Sequence, residues 1–464
     1  MNVFWAVVGS TRYRLFLVSV AAVLVAFGCG RNPQPAPHSS TPMNVIVVLV
    51  DTLRADHMSL YGYSRATTPF IDRFASEAIV FERGRSQAGC TFPSVNSLMT
   101  SRYPEVFAHQ GKGHFGIPDA YPTIAEVLNG HGYQTAAVSA SPIVRNTPSK
   151  LNPNGGFGRG FDLFIEGCVW GHGACVNRKI FEVLNNLEEP FFLYLHYMEP
   201  HAHYRPPVHY EKRFAGEYNG FDFIQQGNPK PISKTLYANG PEYEITDRDI
   251  QHLVDLYDDE IRYFDGIFRR LLRKLEARGQ LEETMIVLAS DHGEEFLEHG
   301  HIGHCRGVWD TLTHVPLVLQ IPGVQGTRLD TAVQNLDIVP TILDYLEIDG
   351  EGFGFEGRSL RHLIEGREVS PRFAFSEQKQ YRSSDTGSFH LIVDSAEDTM
   401  ALFDVRNDPL EQHDLYSTSH PALGPLSAAL EGWLERTNRL GRLEESAAAA
   451  RAKEEELRAL GYLQ

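Results

Sequence analysis

Positive charge is in short supply: 42 Lys and Arg face 59 Asp and Glu, a net of −17 across 464 residues. That balance argues against a protein that grips nucleic-acid phosphates without regard to sequence. Beyond this it serves solubility and fixes little. Long apolar runs are missing as well; Leu15 to Phe27 is too short and too early for an ordinary spanning helix. Internal repeats are absent, which sets aside stacked-repeat architectures. Cysteine is scarce, five residues in all. The apolar share is ordinary, and the length leaves room for one large α/β domain and a smaller one.

What is present begins with a targeting segment. Arg12 and Arg14 precede the apolar run, which ends Val25-Ala26-Phe27-Gly28-Cys29. Small residues before a Cys resemble a bacterial lipobox, in which the Cys is lipidated and becomes the first mature residue. Residues 1–28 then form a lipoprotein-type signal peptide and Cys29 carries the lipid. A plain secretory signal and an uncleaved anchor are the alternatives. Residues 29–43 are a Pro-rich tether with no core of its own. This reading puts the protein in a bacterial cell envelope, held to the membrane on its periplasmic or extracellular face. An oxidising compartment permits disulfides among Cys90, Cys168, Cys175 and Cys305. Cys168 and Cys175 flank a Gly-rich loop and could close it; two free thiols are the alternative.

Two stretches carry the chemistry. Asn44-Val-Ile-Val-Val-Leu-Val-Asp51 is an apolar, mostly β-branched run ending on an acid. It reads as a strand buried on both faces of a parallel sheet. Met285-Ile-Val-Leu-Ala-Ser-Asp291-His292-Gly293 repeats the pattern. Open α/β sheets place ligands beyond the carboxyl ends of their strands. Asp51, Asp291 and His292 would meet there and offer oxygen and imidazole to a metal. Two ordinary strands followed by polar turns are the plain alternative.

Other segments give the frame. Thr68-Pro69 starts a helix with a cap residue and then Pro. Leu253, Tyr257, Ile261, Phe264, Phe268, Leu271 and Leu275 step by three and four, so Asp249 to about Ala277 is a long amphipathic helix whose charges face solvent. Tyr204 to Thr246 is a long irregular insertion, either a substrate-pocket wall or a structural excursion. Val315 to Ile321 is another buried strand. From Gly366 the pattern turns to short strands (Phe373–Ser376, Phe389–Val393, Ala401–Phe403) and a helix near Leu423–Arg436, a small α+β subdomain.

Leu53-Arg-Ala-Asp-His57, Tyr61-Gly-Tyr63 and Thr68-Pro-Phe-Ile-Asp-Arg-Phe-Ala75 resemble the opening of the sulfatase branch of the alkaline phosphatase superfamily. In the same order, Thr91-Phe-Pro-Ser-Val-Asn-Ser-Leu-Met-Thr-Ser-Arg-Tyr-Pro104 resembles its nucleophile helix. Phe191 to His201 is similar to the strand that delivers a histidine. Ser290 to His304 is similar to its metal-binding segment. The resemblance covers nearly the whole mature chain. It implies an alkaline-phosphatase-like α/β fold: a central, mostly parallel sheet flanked by helices over 44–365, with the C-terminal subdomain over 366–464.

The resemblance also implies roles. Asp51, Thr91, Asp291 and His292 would hold a divalent metal, with Thr91 as nucleophile. His201 sits where the family binds substrate or leaving group, and His304 where many sulfatases carry Lys. Thr52 stands where a second Asp is usual, which favours zinc or manganese over calcium; one or two ions remain open. The family's formylglycine needs Cys-x-Pro-x-Arg. Cys90 is out of register with it, since Pro93 is three residues on and Val95 replaces Arg. Cys90 is therefore a thiol or a disulfide partner. Thr at the nucleophile position is similar to phosphodiesterases, phosphoglycerol transferases and phosphoethanolamine transferases of the superfamily. Gly111-Lys-Gly-His-Phe-Gly116 imitates a sulfatase lysine-histidine motif but lies too early, so Lys112 and His114 read as surface loop. Glu294 and Glu295 read as polar turn residues. His196, His203, His299 and His301 read mostly as turn or surface, with a second metal site as the alternative. The expected protein is a metal-dependent hydrolase of phosphate esters, or a phosphotransferase, acting on a small-molecule, glycan or lipid ester. A sulfate-ester hydrolase with atypical activation is the second reading. A non-catalytic surface binding lipoprotein is the third.

Overall fold

The computed structural model describes residues 43–105, 117, 120–168, 172–207, 210, 213–220, 245–368 and 370–438. The signal segment, the tether up to residue 42, Lys112, His114 and most of the Tyr204–Thr246 insertion lie outside them. An eight-stranded sheet forms the centre, in the order β10-β2-β9-β6-β1-β5-β3-β4. Its strands are β1 (Asn44–Val50), β2 (Ile79–Arg85), β3 (Gln134–Ser139), β4 (Leu163–Ile165), β5 (Phe191–Tyr197), β6 (Thr284–Ser290), β9 (Leu317–Gln320) and β10 (Thr327–Gln334). Only β9 pairs antiparallel to its neighbours; the other pairings are parallel. A small hairpin, β7 (Glu295–Phe296) with β8 (Ile302–Gly303), follows β6.

The strand residues explain the layers. β1 is buried along its whole length, and its side chains alternate between two cores. Ile46, Val48 and Val50 face one core. There α1 (Pro69–Ala75), α4 (Gly173–Leu184) and α5 (Asp247–Glu276) pack. Val45, Val47 and Leu49 face the other. That core holds α2 (Thr91–Thr100), α3 (Ile124–Gly130) and, after the single turn α6 (Asp310–Thr313), α7 (Ile338–Tyr345). Among the described residues no helix is long and apolar enough to cross a membrane.

Helix α5 carries the expected apolar stripe: Leu253, Tyr257, Ile261, Phe264, Phe268, Leu271 and Leu275 are all fully buried. Its charges do not form the expected solvated face. Asp255, Asp258, Asp259, Glu260 and Asp265 are buried as well, because cations and backbone donors from distant segments meet them. Asp258 accepts from Arg65 and Tyr63, each at 2.8 Å. Asp265 accepts the N–H groups of Phe70 and Ile71, both at 2.8 Å. It thereby caps α1, a task Thr68 does not perform.

The C-terminal sheet has four antiparallel strands: β11 (Ala374–Gln378), β12 (Tyr381–Asp385), β13 (Phe389–Asp394) and β14 (Thr399–Asp404). The short strands read from the sequence are there. β12 escaped that reading because Tyr-Arg-Ser-Ser-Asp lacks an apolar pattern. A helix over 423–438 lays Leu426, Leu430 and Trp433 against Tyr103, Leu336, Phe375, Leu391 and Leu402.

Candidate active site

Register brings the site together. Val50 pairs with Ser290 on β6 and with Tyr197 on β5, so the next residues, Asp51 and Asp291, leave the sheet side by side. β2 ends at the same edge and its following loop enters α2 at Thr91. Cys90 is the residue before the helix, so Thr91 is not the cap. Its Oγ1 instead lies 3.1 Å from His292 Nε2.

The donor atoms left over outline a candidate ion site. His292 Nδ1 donates to the Gly293 carbonyl at 2.8 Å, which leaves Nε2 with a bare lone pair. Burial holds this imidazole well below its usual pKa, and His304 adds to the effect. Asp291 Oδ1 accepts the N–H groups of His292 and Thr52, at 2.9 and 3.1 Å. Its Oδ2 and Asp51 Oδ1 are buried without a partner. They lie 3.4 and 3.8 Å from His292 Nε2. Burial, followed by the charge of Asp291, pushes the Asp51 carboxyl well above the ordinary range. Two adjoining buried carboxylates with orphan oxygens, facing a neutral imidazole, call for a cation. Asp51, Asp291 and His292, with Thr91 Oγ1 beside them, fit a divalent metal.

The surroundings include residues that the sequence reading placed wrongly. His196 is no surface residue: it is fully buried on β5, and its Nε2 lies 3.0 Å from Asp51 Oδ2. Tyr194 OH lies 2.8 Å from His196 Nδ1. Burial raises the Tyr194 phenol and lowers His196 to about 4, so both are neutral. Tyr194 therefore donates to Nδ1, and Nε2–H donates to Asp51. Glu294 and Glu295 are fully buried rather than exposed at a turn. The chain after β6 folds under its own hairpin, and two histidines cover the acids. Glu294 Oε1 accepts from His304 Nδ1 at 2.7 Å, and Glu295 Oε1 pairs with His299 Nδ1 at 3.0 Å. His299 also stacks on Trp309 with ring centroids 4.1 Å apart. Acids spaced from histidines along one short segment were the available signal.

His304 and His201, to which the resemblance gives roles, have their rings close to that of His292 or to each other. The His304 ring is 4.6 Å from that of His292 and 5.0 Å from that of His201. Burial alone would lower the His304 pKa, but Glu294, then Asp51 and Asp291, raise it to about 9. Arg54 is buried and holds the hairpin. Its Nη1 donates to the Glu294 carbonyl at 2.9 Å and meets Glu298 at 2.5 Å. Tyr257 OH donates to the Thr52 carbonyl at 2.6 Å. Thr52 takes a left-handed backbone, φ 59°, uncommon for a β-branched residue. Two disulfides are present among the described residues, Cys168–Cys175 and Cys90–Cys305; the second pairing was not foreseen. Part of the insertion borders a cavity of about 550 Å³ whose lining includes Tyr204, Arg205, Tyr218 and His252.

The sulfatase family model matches residues 43–172 and 174–348, and the model for the C-terminal part of N-sulphoglucosamine sulphohydrolase matches residues 298–439. The chain belongs to the sulfatase family. An uncharacterized sulfatase of Escherichia coli strain K12 is 27% identical over 238 residues, covering 49% of this chain and 47% of the relative. Human iduronate 2-sulfatase is 24% identical over 360 residues, 66% of this chain and 64% of the relative. The chain thus spans less than two thirds of either relative. Among solved structures, the phosphonate monoester hydrolase of Agrobacterium radiobacter superposes with TM-score 0.66 at 19% identity, covering 86% of this chain and 95% of that one. That likeness carries the fold.

Proposed function

We propose that this protein is a metal-dependent hydrolase of phosphate or phosphonate esters that attacks through the unmodified hydroxyl of Thr91. One observation carries this: the side chain at the head of α2, 3.1 Å from His292 and beside the orphan oxygens of Asp51 and Asp291, is a threonine. The neighbouring Cys90 is tied to Cys305 and is not free for conversion to an aldehyde.

A divalent cation bound by Asp51, Asp291, His292 and Thr91 would polarise the ester and make the hydroxyl easier to deprotonate. The Thr91 oxygen attacks phosphorus, its proton passing to solvent, and the bond to the alcohol breaks. His304, bonded through Nδ1 to Glu294, is placed to protonate the departing oxygen. His201 flanks the same space and orients the ester. Water then attacks the phospho-threonine and frees Thr91; an acceptor alcohol in its place would give transfer. Tyr194 and His196 fix the Asp51 carboxylate throughout.

The named relatives favour a second reading, a sulfate ester as substrate. Thr91 speaks against it. Formylglycine has a second hydroxyl that can collapse and expel sulfate, and threonine has one. The residues favour zinc or manganese over calcium, because Thr52 removes a hard ligand. We also place the protein in a bacterial cell envelope, anchored through a lipid on Cys29. A panel of aryl phosphate mono- and diesters, phosphonates and sulfates, assayed with each metal, tests the function. Sulfates turning over faster than matched phosphorus esters would reverse the assignment.

A further inference from the structure

The Cys90–Cys305 disulfide joins residues 215 positions apart, with Cα atoms 4.6 Å from each other. Cys90 directly precedes Thr91, the first residue of α2, and Cys305 directly follows His304. The bond therefore links the head of the nucleophile helix to the end of the hairpin that carries the proton donor. The two backbones are also in contact. Cys305 N–H donates to the Gly89 carbonyl at 2.7 Å. A Cβ at Gly89 would sit 2.8 Å from the Gly307 carbonyl oxygen, so no side chain fits between the segments. Cys305 holds a left-handed backbone, φ 69°, which favours glycine over a residue with a Cβ. The start of the hairpin is fixed separately, by Arg54 on Glu294 and Glu298. The other disulfide, seven residues across, is local and ties Cys168 to the first turn of α4.

We propose that the Cys90–Cys305 disulfide is a positioning device of the catalytic site: it sets His304 against Thr91 and so governs how well the departing alcohol is protonated. The proposal rests on the assignment of Thr91 as nucleophile and His304 as proton donor. A disulfide that only stabilised the fold would slow all substrates alike when lost. A positioning disulfide has a different signature, because good leaving groups need little protonation and poor ones need it fully.

The test uses the full chain with Cys90→Ala/Cys305→Ala, and Cys168→Ala/Cys175→Ala as control. kcat/KM is measured for an aryl and an alkyl ester of the same phosphorus acid, and bound metal is counted by elemental analysis. The alkyl ester should lose about 10- to 100-fold more than the aryl ester, the scale of a misplaced catalytic group, with metal content unchanged. The control pair should keep the wild-type ratio of the two rates. Wild-type protein treated with a phosphine reductant gives a second route that needs no refolding. The rate ratio should shift in step with the fraction of Cys90–Cys305 opened, read by peptide mapping. An aryl-to-alkyl ratio that stays at the wild-type value with the bond open overturns the proposal alone. Full activity in Thr91→Ala overturns the nucleophile assignment and this proposal with it.

Discussion

Glu411 offers a test of how the C-terminal sheet is fastened beneath the site. Its Oε1 accepts from His390 Nδ1 on β13 at 2.5 Å, and its Oε2 accepts the Asp310 N–H at 2.7 Å. Asp310 in turn pairs with Arg85 at the end of β2 and lies 3.3 Å from His314 Nδ1. Arg85 also meets Asp385 on β12 at 2.8 Å. Asp310, His390 and Glu411 are close enough to hold an ion, but Arg85 already supplies the positive charge and the oxygens are taken. Glu411→Ala leaves His390 without its acceptor and Asp310 with an unpaired buried N–H. Each costs about 1–3 kcal/mol, together about the 3–5 kcal/mol of a broken buried pair. An unfolding entropy of roughly 1 kcal/mol/K for a chain of this length turns that into a melting point lower by about 3–5 °C. The loss depends on pH. Burial would lower the His390 pKa, but Glu411 and then Asp385 raise it above the usual value, against the opposing charge of Arg85. The unfolded value is about 6.5. The pair's contribution is therefore complete below that and fades as pH rises through the folded value. Thermal melts of wild type and variant at acid and alkaline pH should show a gap that narrows upward in pH. No shift in melting point, or a gap that widens with pH, would refute the reasoning.

Asp291→Ala and His292→Ala should each lower metal occupancy, since each removes one of the clustered donor atoms; full occupancy of both variants by elemental analysis would take them out of the site. His196→Ala should weaken metal binding by roughly 10- to 100-fold by freeing the Asp51 carboxylate, and Tyr194→Phe by less; titration calorimetry that finds wild-type affinity in His196→Ala would contradict the relay. Cys29→Ala should release the protein from the membrane fraction, and an unchanged acyl mass in that variant would end the anchor assignment.

The sequence made the two acid-ended strands and the stripe of α5 readable, because a strand buried on both faces and a helix at a sheet surface each impose a period on apolar residues. It also put Asp51, Asp291 and His292 together, since parallel strands in register deliver their next residues to one edge. Buried polar residues were harder to read. His196 sits in an apolar run, and only the alternation Phe192, Tyr194, His196 shows that it shares a face with Leu49 and Asp51. The acids of α5 read as a solvated face in the sequence, because their partners, Arg65 and the head of α1, lie about 190 residues away. Cys90 and Cys305 could be paired only once the hairpin after β6 was seen to fold back over α2.

The central claim is that Thr91, unmodified, attacks the ester. Trypsin cuts after Arg85 and Arg102, so one peptide, residues 86–102, carries both Cys90 and Thr91. Protein quenched during turnover of an aryl phosphate ester, then reduced and digested, should yield this peptide with Cys90 as an ordinary cysteine and phosphate on Thr91. Thr91→Ala should show no phosphopeptide and lose activity by about 10²–10⁴ or more. An aldehyde at position 90, or full activity in Thr91→Ala, would contradict the account.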